Sequence, residues 1–410
     1  MNLTKTFIFI TTGMLFCSSL VNASQIAGID IYGYFQSELL YERSITKQFG
    51  VSDTLKRSTS EVSELDLFFN KQITPKISAL VNLQLTGNYS SENLWGDFAL
   101  DQAWVKFDLS KMFVLKIGQV VPIFNQFNEI KARFPLHPFI IRPAIYETNY
   151  GKMVQSSIFL PLHAAMQING TVPLGKTKFD YAVFGGNSEF IHTKKNASDY
   201  VVIPFGTDST NFKMVGGRLG LRAFDLKFGI SGTYDKARND DINASIDTAN
   251  STMKAILGDY APVLPNIGEA PRYRFGVDLS FTNGRFNFQS EYIYVHITPK
   301  DNVKRNLDLV SLATKDSPVP ISNDLDRQFA FASLTCYITE KFNATLAGYY
   351  NNTPASVILD KGFYGVDFCL GYNITDGVAV KAQIRDVRSD RECTVRWNDF
   401  ITAAGISVFF

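Results

Sequence analysis

The chain ends on Phe410, and the segment from Asn398 onward alternates apolar with small or polar residues up to that last position. Phe400, Thr402, Ala404, Ile406, Val408 and Phe410 share one face; Asp399, Ala403, Gly405 and Ser407 lie mostly on the other. A β-strand repeats its side-chain direction every two residues, so this pattern makes one flank apolar and the other small or polar. Termini of water-soluble domains tend to be polar and frayed. An apolar stripe carried to the final residue and closed by an aromatic suits a strand that crosses a membrane and ends at the water interface. The competing reading is the buried last strand of a secreted β-domain.

The other end of the chain favours the first reading. Lys5 supplies a positive start, Phe7 to Leu20 an apolar stretch, and Val21-Asn22-Ala23 a small-residue cleavage site. Residues 1–23 are therefore expected to be a signal peptide, and residues 24–410 the mature domain. Phe16 is too bulky for Cys17 to serve as a lipoprotein site. Downstream, no apolar run approaches the ~20 residues that a spanning helix requires. The combination points to an all-β fold, a transmembrane antiparallel up-and-down β-barrel in the cell outer membrane, touching lipid and lipopolysaccharide.

Charge and cysteine narrow the partners. The 40 Lys and Arg against 39 Asp and Glu leave a formal net charge of +1, close to zero once Lys5 departs, so nothing points to nucleic acid. Cys336, Cys369 and Cys393 remain after the leader, an odd number that cannot build a complete disulfide framework. They read as small apolar strand residues with one in a loop.

Short turns alternate with long polar stretches along the chain. Ile73-Thr74-Pro75-Lys76, Leu109-Ser110-Lys111-Met112, Pro173-Leu174-Gly175-Lys176, Phe224-Asp225, Asn283-Gly284, Thr339-Glu340-Lys341 and Thr375-Asp376-Gly377 each join two alternating segments. Asn-Gly and Asp-Gly tolerate the positive φ of tight hairpins. Longer stretches include Arg43 to Ser60, Asn187 to Asn211, Asp235 to Arg272 and Thr298 to Asp326. The segments between these marks number about sixteen, from Gly28–Tyr41 to Asn398–Phe410, most near the ~9–11 residues that cross the hydrocarbon. Both ends then lie on the short-turn side.

Strand parity assigns faces. In Ile77–Thr86, Ile77, Ala79, Val81, Leu83 and Leu85 face lipid, whereas Ser78, Asn82, Gln84 and Thr86 face inward. In Tyr273–Thr282, Tyr273, Phe275, Val277, Leu279 and Phe281 face out, and Arg272, Arg274, Asp278 and Ser280 face in. So many charges in a dry core carry a desolvation cost that a water-filled channel removes. That contrast favours a pore over a sandwich.

The connection from Val121 to His163 is not composed like an exposed loop. Its first half, Val120-Val121-Pro122-Ile123-Phe124-Asn125-Gln126-Phe127-Asn128-Glu129-Ile130-Lys131-Ala132-Arg133-Phe134, is rich in apolar and aromatic residues. Such a segment needs a surface to pack on, and the inner wall offers one. Structureless connections of this length are usually functional; folded inward, this one narrows the lumen as a constriction loop.

Several segments now resemble a family. Leu100-Asp101-Gln102-Ala103-Trp104-Val105-Lys106-Phe107, Leu115-Lys116-Ile117-Gly118-Gln119, a Pro-Phe-Asn type of loop opening, and Met214-Val215-Gly216-Gly217-Arg218-Leu219 look like the Gram-negative porin superfamily, nearest to its phosphate-selective group. The resemblance spans nearly all of the mature chain. It implies sixteen strands, a constriction loop after the fifth, a homotrimer, and passive diffusion of ions and small hydrophilic solutes, with no cofactor. The phosphate-selective group is associated with a dense basic ladder. Here the loop sets Lys131, Arg133, Arg142 and Lys152 against Glu129 and Glu147, so fold and pore role carry over and phosphate specificity does not.

The candidate site is electrostatic, because charged rings at a narrow point set ion preference. The constriction is expected from Glu129, Lys131, Arg133 and Arg142. Inward acids fall early, at Asp30, Glu38, Glu42, Glu64 and Asp66; inward bases fall late, at Arg218, Arg222, Lys227, Arg272, Arg274, Arg285, Lys381 and Arg385. Barrel closure would set the two signs on separate arcs. The alternative is that each is a solvated lumen charge of small effect.

Other signals point elsewhere or nowhere. His137, His163, His192 and His296 lack metal-ligand spacing, and no Gly-x-Ser-x-Gly elbow occurs. Gly216-Gly217 reads as a close-packing or bulge site. Tyr32, Tyr34, Tyr292, Tyr294, Tyr349, Tyr350 and Phe409 sit near strand ends, as interface girdles do. Four functions compete: a passive porin, a channel selective for phosphate or another anion, an outer-membrane enzyme, and a secreted binding domain. An enzyme would need His296, for which the sequence suggests no partner.

Overall fold

The computed structural model describes residues 24–26, 28–48, 51–88, 97–130, 137–146, 156–188, 213–238, 251, 254, 258, 269–298, 326–352, 362–389 and 396–410. The expected signal peptide lies outside them, as does Cys393.

A three-residue strand, β1 (Ser24–Ile26), pairs back on β2 (Ile29–Gln48). The chain then meanders through β3 (Val51–Thr74), β4 (Ile77–Asn88), β5 (Asp97–Ser110), β6 (Phe113–Val120), β7 (Ala164–Leu174), β8 (Thr177–Asn187), β9 (Lys213–Ala223) and β10 (Leu226–Arg238). It continues through β11 (Glu269–Asn283), β12 (Phe286–Ile297), β13 (Arg327–Tyr337), β14 (Phe342–Asn352), β15 (Phe363–Thr375), β16 (Val378–Ser389) and β17 (Arg396–Phe409). Every neighbour from β2 to β17 pairs antiparallel, and β17 pairs with β2, so sixteen strands form a closed barrel. Closure removes every free edge from the spanning wall, which hydrocarbon demands. The terminal residue is part of the seal: Phe410 N–H donates to Gly33 O at 3.0 Å, and Gly33 N–H donates to Phe410 O at 2.8 Å.

The period of two separates two environments. On β11, Tyr273, Phe275 and Phe281 are exposed on the outer flank while Arg272, Arg274, Asp278 and Ser280 are buried on the inner one. On β17, Phe400 is exposed and Asp399, Ile401 and Ala403 are buried. Exposed Leu, Phe and Tyr form the outer face all around the wall, as a surface meeting lipid requires. Among the described residues no helix is long and apolar enough to cross a membrane.

Two expectations change. Arg43–Gln48 and Val51–Ser60 are strand, not loop: Gln48 pairs with Val51 and the ladder runs unbroken down to the wall. β2 and β3 are 20 and 24 residues long, twice a membrane crossing, so the hairpin continues past the last β3–β4 pair, Val62 with Asn88. Polar β-formers such as Thr46, Thr54 and Thr59 hold a ladder in water as well as in lipid. Tyr34 and Tyr349 are not girdle residues either: both are buried on the inner flank, whereas Tyr292 and Tyr350 are exposed on the outer one.

The connection from β6 to β7 carries the short helices α1 (Asn125–Ile130) and α2 (Ser156–Phe159) and a 3₁₀ turn at Ala144–Tyr146. Its Phe124, Phe127, Phe139, Ile145, Phe159 and Leu160 form one apolar cluster with inward residues of β12 to β16, including Ile293, Val295, Phe329, Phe331 and Tyr349. The inner wall is thus apolar on one side, and the segment covers that side. Fully burying a large apolar side chain contributes ~1.5–3 kcal/mol, so the four phenylalanines alone give a firm attachment.

Candidate pore constriction

The segment is fixed at three stations. At the first, Arg142 pairs with Glu64 of β3, both nearly fully buried. At the second, the inner row of β16, Lys381, Gln383 and Arg385, reads the backbone of residues 139–142. Gln383 Oε1 accepts from Ile140 N–H at 2.7 Å and Ile141 N–H at 2.8 Å, and its Nε2 donates to Ile141 O at 3.2 Å. Lys381 donates to Phe139 O at 3.3 Å; Arg385 donates to Ile141 O at 3.1 Å and Arg142 O at 2.7 Å. From β2, Gln36 donates to Ile140 O at 2.8 Å. Irregular backbone has no ladder of its own, so its buried polar groups need such side-chain partners.

At the third station, Glu291 of β12 accepts from Phe127 N–H at 2.6 Å and from the Tyr146 hydroxyl at 2.5 Å. Asn125, with φ 52°, opens α1 there and donates its N–H to Ser231 Oγ of β10 at 3.0 Å. Gly276 permits this approach, since a Cβ there would stand 2.3 Å from Asn125 Oδ1. Because the stations lie on β2 and β3, on β16, and on β10 and β12, the segment crosses the enclosed space. Spaces border it on both sides. One, of about 270 Å³, includes His137, Asn343, Lys381 and the short-turn residue Asp376; the other, of about 190 Å³, includes Gln84, Asp101, Arg142 and His163.

Two groups on the segment have displaced ionisation. Burial, with a smaller push from Lys381, lowers His137 to about 4, so its imidazole is neutral. Burial, then the negative charge and hydrogen bond of Glu291, hold the Tyr146 phenol well above its ordinary value.

No family model matches the chain, and no curated protein matches it. Solved structures do. The anion-selective porin from Comamonas acidovorans aligns over 93% of this chain and 100% of its own, at 9% identity and TM-score 0.54. The outer membrane channel DcaP of Acinetobacter baumannii aligns over 95% and 100%, at 12% identity and TM-score 0.54. OprB of Pseudomonas putida aligns over 93% and 94%, at 10% identity and TM-score 0.54. The fold is that of the Gram-negative outer-membrane porins.

Within this barrel five of the anticipated bases, Arg218, Arg222, Arg272, Arg274 and Arg385, point inward and pair with aspartates, whereas Lys227 is exposed. Arg218 meets Asp278 through its Nε at 3.2 Å and through Nη2, and Arg222 meets Asp180 and Thr171. Arg272 Nε donates to Asp235 at 2.8 Å, and Arg274 donates to Ile158 O at 2.9 Å and Asp235 at 3.4 Å. Arg385 grips Asp367 with two bonds of 2.7 Å. Cross-strand carboxylates, rather than bulk water, thus offset the desolvation of these cations.

The acids form a different pattern. Gln84 donates to Glu64 at 3.1 Å and to Asp66 at 3.3 Å; Asn82 donates to Asp66 and Asp101, each at 3.3 Å. Glu38 accepts from Gln36 at 2.9 Å, and Glu42 pairs with Arg57. Arg285 departs from expectation: it lies in the β11–β12 turn, exposed, because the hairpin ends at Asn283 and resumes at Phe286. Lys131 and Arg133 lie outside the described residues, as does the Glu129 side chain.

Gly216 fits its close-packing reading, for a Cβ there would meet the Phe184 ring at 2.5 Å. His296 does have partners: Asp326 Oδ1 lies 2.6 Å from Nδ1 and Thr298 Oγ1 3.1 Å from Nε2. Thr298 N–H is already bonded to Pro271 O at 3.0 Å and is not available to a developing oxyanion. Gln36, Gln383, Glu291, Ser231 and the aspartates 180, 235 and 367 were missed. Once β16 is phased by Lys381 and Arg385, Gln383 follows by parity, and the register sets Asp367 opposite Arg385. Nothing in the sequence marks which wall residues meet the segment.

Proposed function

We propose that the protein is an outer-membrane porin passing ions and small hydrophilic solutes by diffusion, narrowed by the segment between β6 and β7. The observation that carries the reading is a closed sixteen-strand wall, apolar outside and polar inside, whose interior is crossed by a segment tied to facing strands. Export by the leader at residues 1–23, assembly as a homotrimer and contact with lipopolysaccharide belong to the same proposal. The constriction is formed by Arg142 of the segment, by Glu64, Asp66 and Glu38 of β2 and β3, and by Lys381 and Arg385 of β16, which β17 alone separates from β2. Glu129, Lys131 and Arg133, whose side chains lie outside the described residues, belong to the same proposal.

Phosphate or general anion selectivity is the less favoured alternative. Arg218, Arg222, Arg272, Arg274 and Arg385 each have an aspartate partner, which weakens them as a ladder for anions. A chemistry at His296 is likewise not favoured, and the channel needs no covalent step. Proteoliposome swelling in neutral sugars of increasing size tests the proposal. Small sugars should enter and large ones should not; failure of every sugar to enter removes it.

A further inference from the structure

We propose that Gln383 is the positioning residue of the constriction, setting the size limit of the channel without contributing charge; this rests on the porin reading above. The side chain is 2% exposed and engages the segment through three hydrogen bonds with one orientation. Its oxygen faces two N–H groups, those of Ile140 and Ile141, while its amide nitrogen faces Ile141 O. A reversed amide would put N–H against N–H, so donors and acceptors specify the rotamer.

Its neighbours explain why one neutral residue matters. Lys381 and Arg385, two positions either way on the same inner row, reach Phe139 O, Ile141 O and Arg142 O. Both are ionisable, and Arg385 is held to Asp367 as well. Among the described residues Gln383 supplies, through its one Oε1, the acceptor for both amide hydrogens. Ile140 and Ile141 themselves pack with Leu40, Ile401 and Ala403, so the segment is seated against the β16–β17–β2 wall. The next residue, Arg142, pairs with Glu64 on β3, the strand beside β2. Moving residues 140–141 off the wall therefore moves Arg142.

Gln383→Leu keeps the side chain's bulk and deletes all three bonds, leaving two buried N–H groups without acceptors. The ratio of seated to displaced segment should fall on the order of a hundredfold. Gln383→Asn keeps the amide but is shorter by one methylene and should act in the same direction more weakly. The test is proteoliposome swelling with neutral sugars, alongside reversal potential in a salt gradient and heat-shifted gel mobility to establish folding. Both variants should admit sugars that the parent excludes, with reversal potential unchanged because no charge is altered. If the leucine variant does not fold, the asparagine variant decides alone. A parent that admits no sugar overturns the porin reading. A conducting parent whose folded variants keep the same size limit overturns the role of Gln383 and leaves the porin reading intact.

Discussion

The Glu291 station permits a quantitative test of how the segment is held. The carboxyl group accepts Phe127 N–H at 2.6 Å and the Tyr146 hydroxyl at 2.5 Å, inside an apolar cluster. Leaving a buried donor or acceptor without its partner costs ~1–3 kcal/mol. Tyr146→Phe removes one and leaves Oε2 without that donor, an expected loss of ~2 kcal/mol by the same rule. Glu291→Ala removes both and orphans a buried N–H and a buried hydroxyl. Against that, it lifts a carboxyl out of an apolar site where Asp278 is its cross-strand neighbour, for a net loss of ~2–4 kcal/mol. Because both variants delete the same Tyr146–Glu291 bond, the double variant should lose less than the sum, with a coupling of ~1.5–3 kcal/mol. Urea unfolding in lipid bilayers, followed by tryptophan fluorescence and gel mobility, measures all four corners of the cycle. Additivity within ~0.5 kcal/mol would show that the bond does not hold the segment.

Acid should loosen the segment through His137. Its folded form titrates at about 4, whereas a free histidine titrates near 6.5, so the unfolded chain takes up the proton first. Stability is then fully present above about pH 6.5, declines as pH falls toward about 4 and levels off below that. His137→Phe should flatten this slope in unfolding midpoints measured across the range, and an unaltered slope would refute it. Alkali should act on Tyr146 in the opposite direction. With the folded phenol held above its ordinary value, the Tyr146 contribution persists to about pH 10 and weakens above it; Tyr146→Phe should abolish that alkaline loss, and its persistence would assign it elsewhere. Asp235→Asn leaves Arg272 and Arg274 buried beside a neutral amide. Breaking a buried pair from one side costs ~3–5 kcal/mol, so the same unfolding assay should show a large destabilisation, and a change under ~1 kcal/mol would refute the pairing.

The wall was legible because its physics is local. Alternation at Tyr273 to Phe281 and at Phe400 to Val408 states which flank meets lipid, and the short turns give strand number and order. The hairpin of β2 and β3 was not legible, since Arg43 to Ser60 is polar on both faces and only pairing reveals it as a ladder. Inward charges at Arg218, Arg272, Arg274 and Arg385 were correctly placed by parity. Their partners were not, because Asp278, Asp235 and Asp367 become neighbours only when register is known. Arg285 was misplaced by a boundary error of one residue, enough to move it from wall to turn. The segment's composition called for a surface to pack on, and its described residues do pack on inward residues of β12 to β16. Its anchors Gln383, Gln36 and Glu291 were not legible, because nothing in a side chain's own identity tells which distant backbone it will satisfy.

Planar-bilayer recording of the purified, folded barrel asks whether it holds an open water path. Uniform conductance steps that persist at constant voltage should appear, as a wall with a water path beside the crossing segment must give. A heat-modifiable, membrane-inserted protein that adds no steady conductance at any voltage would contradict it.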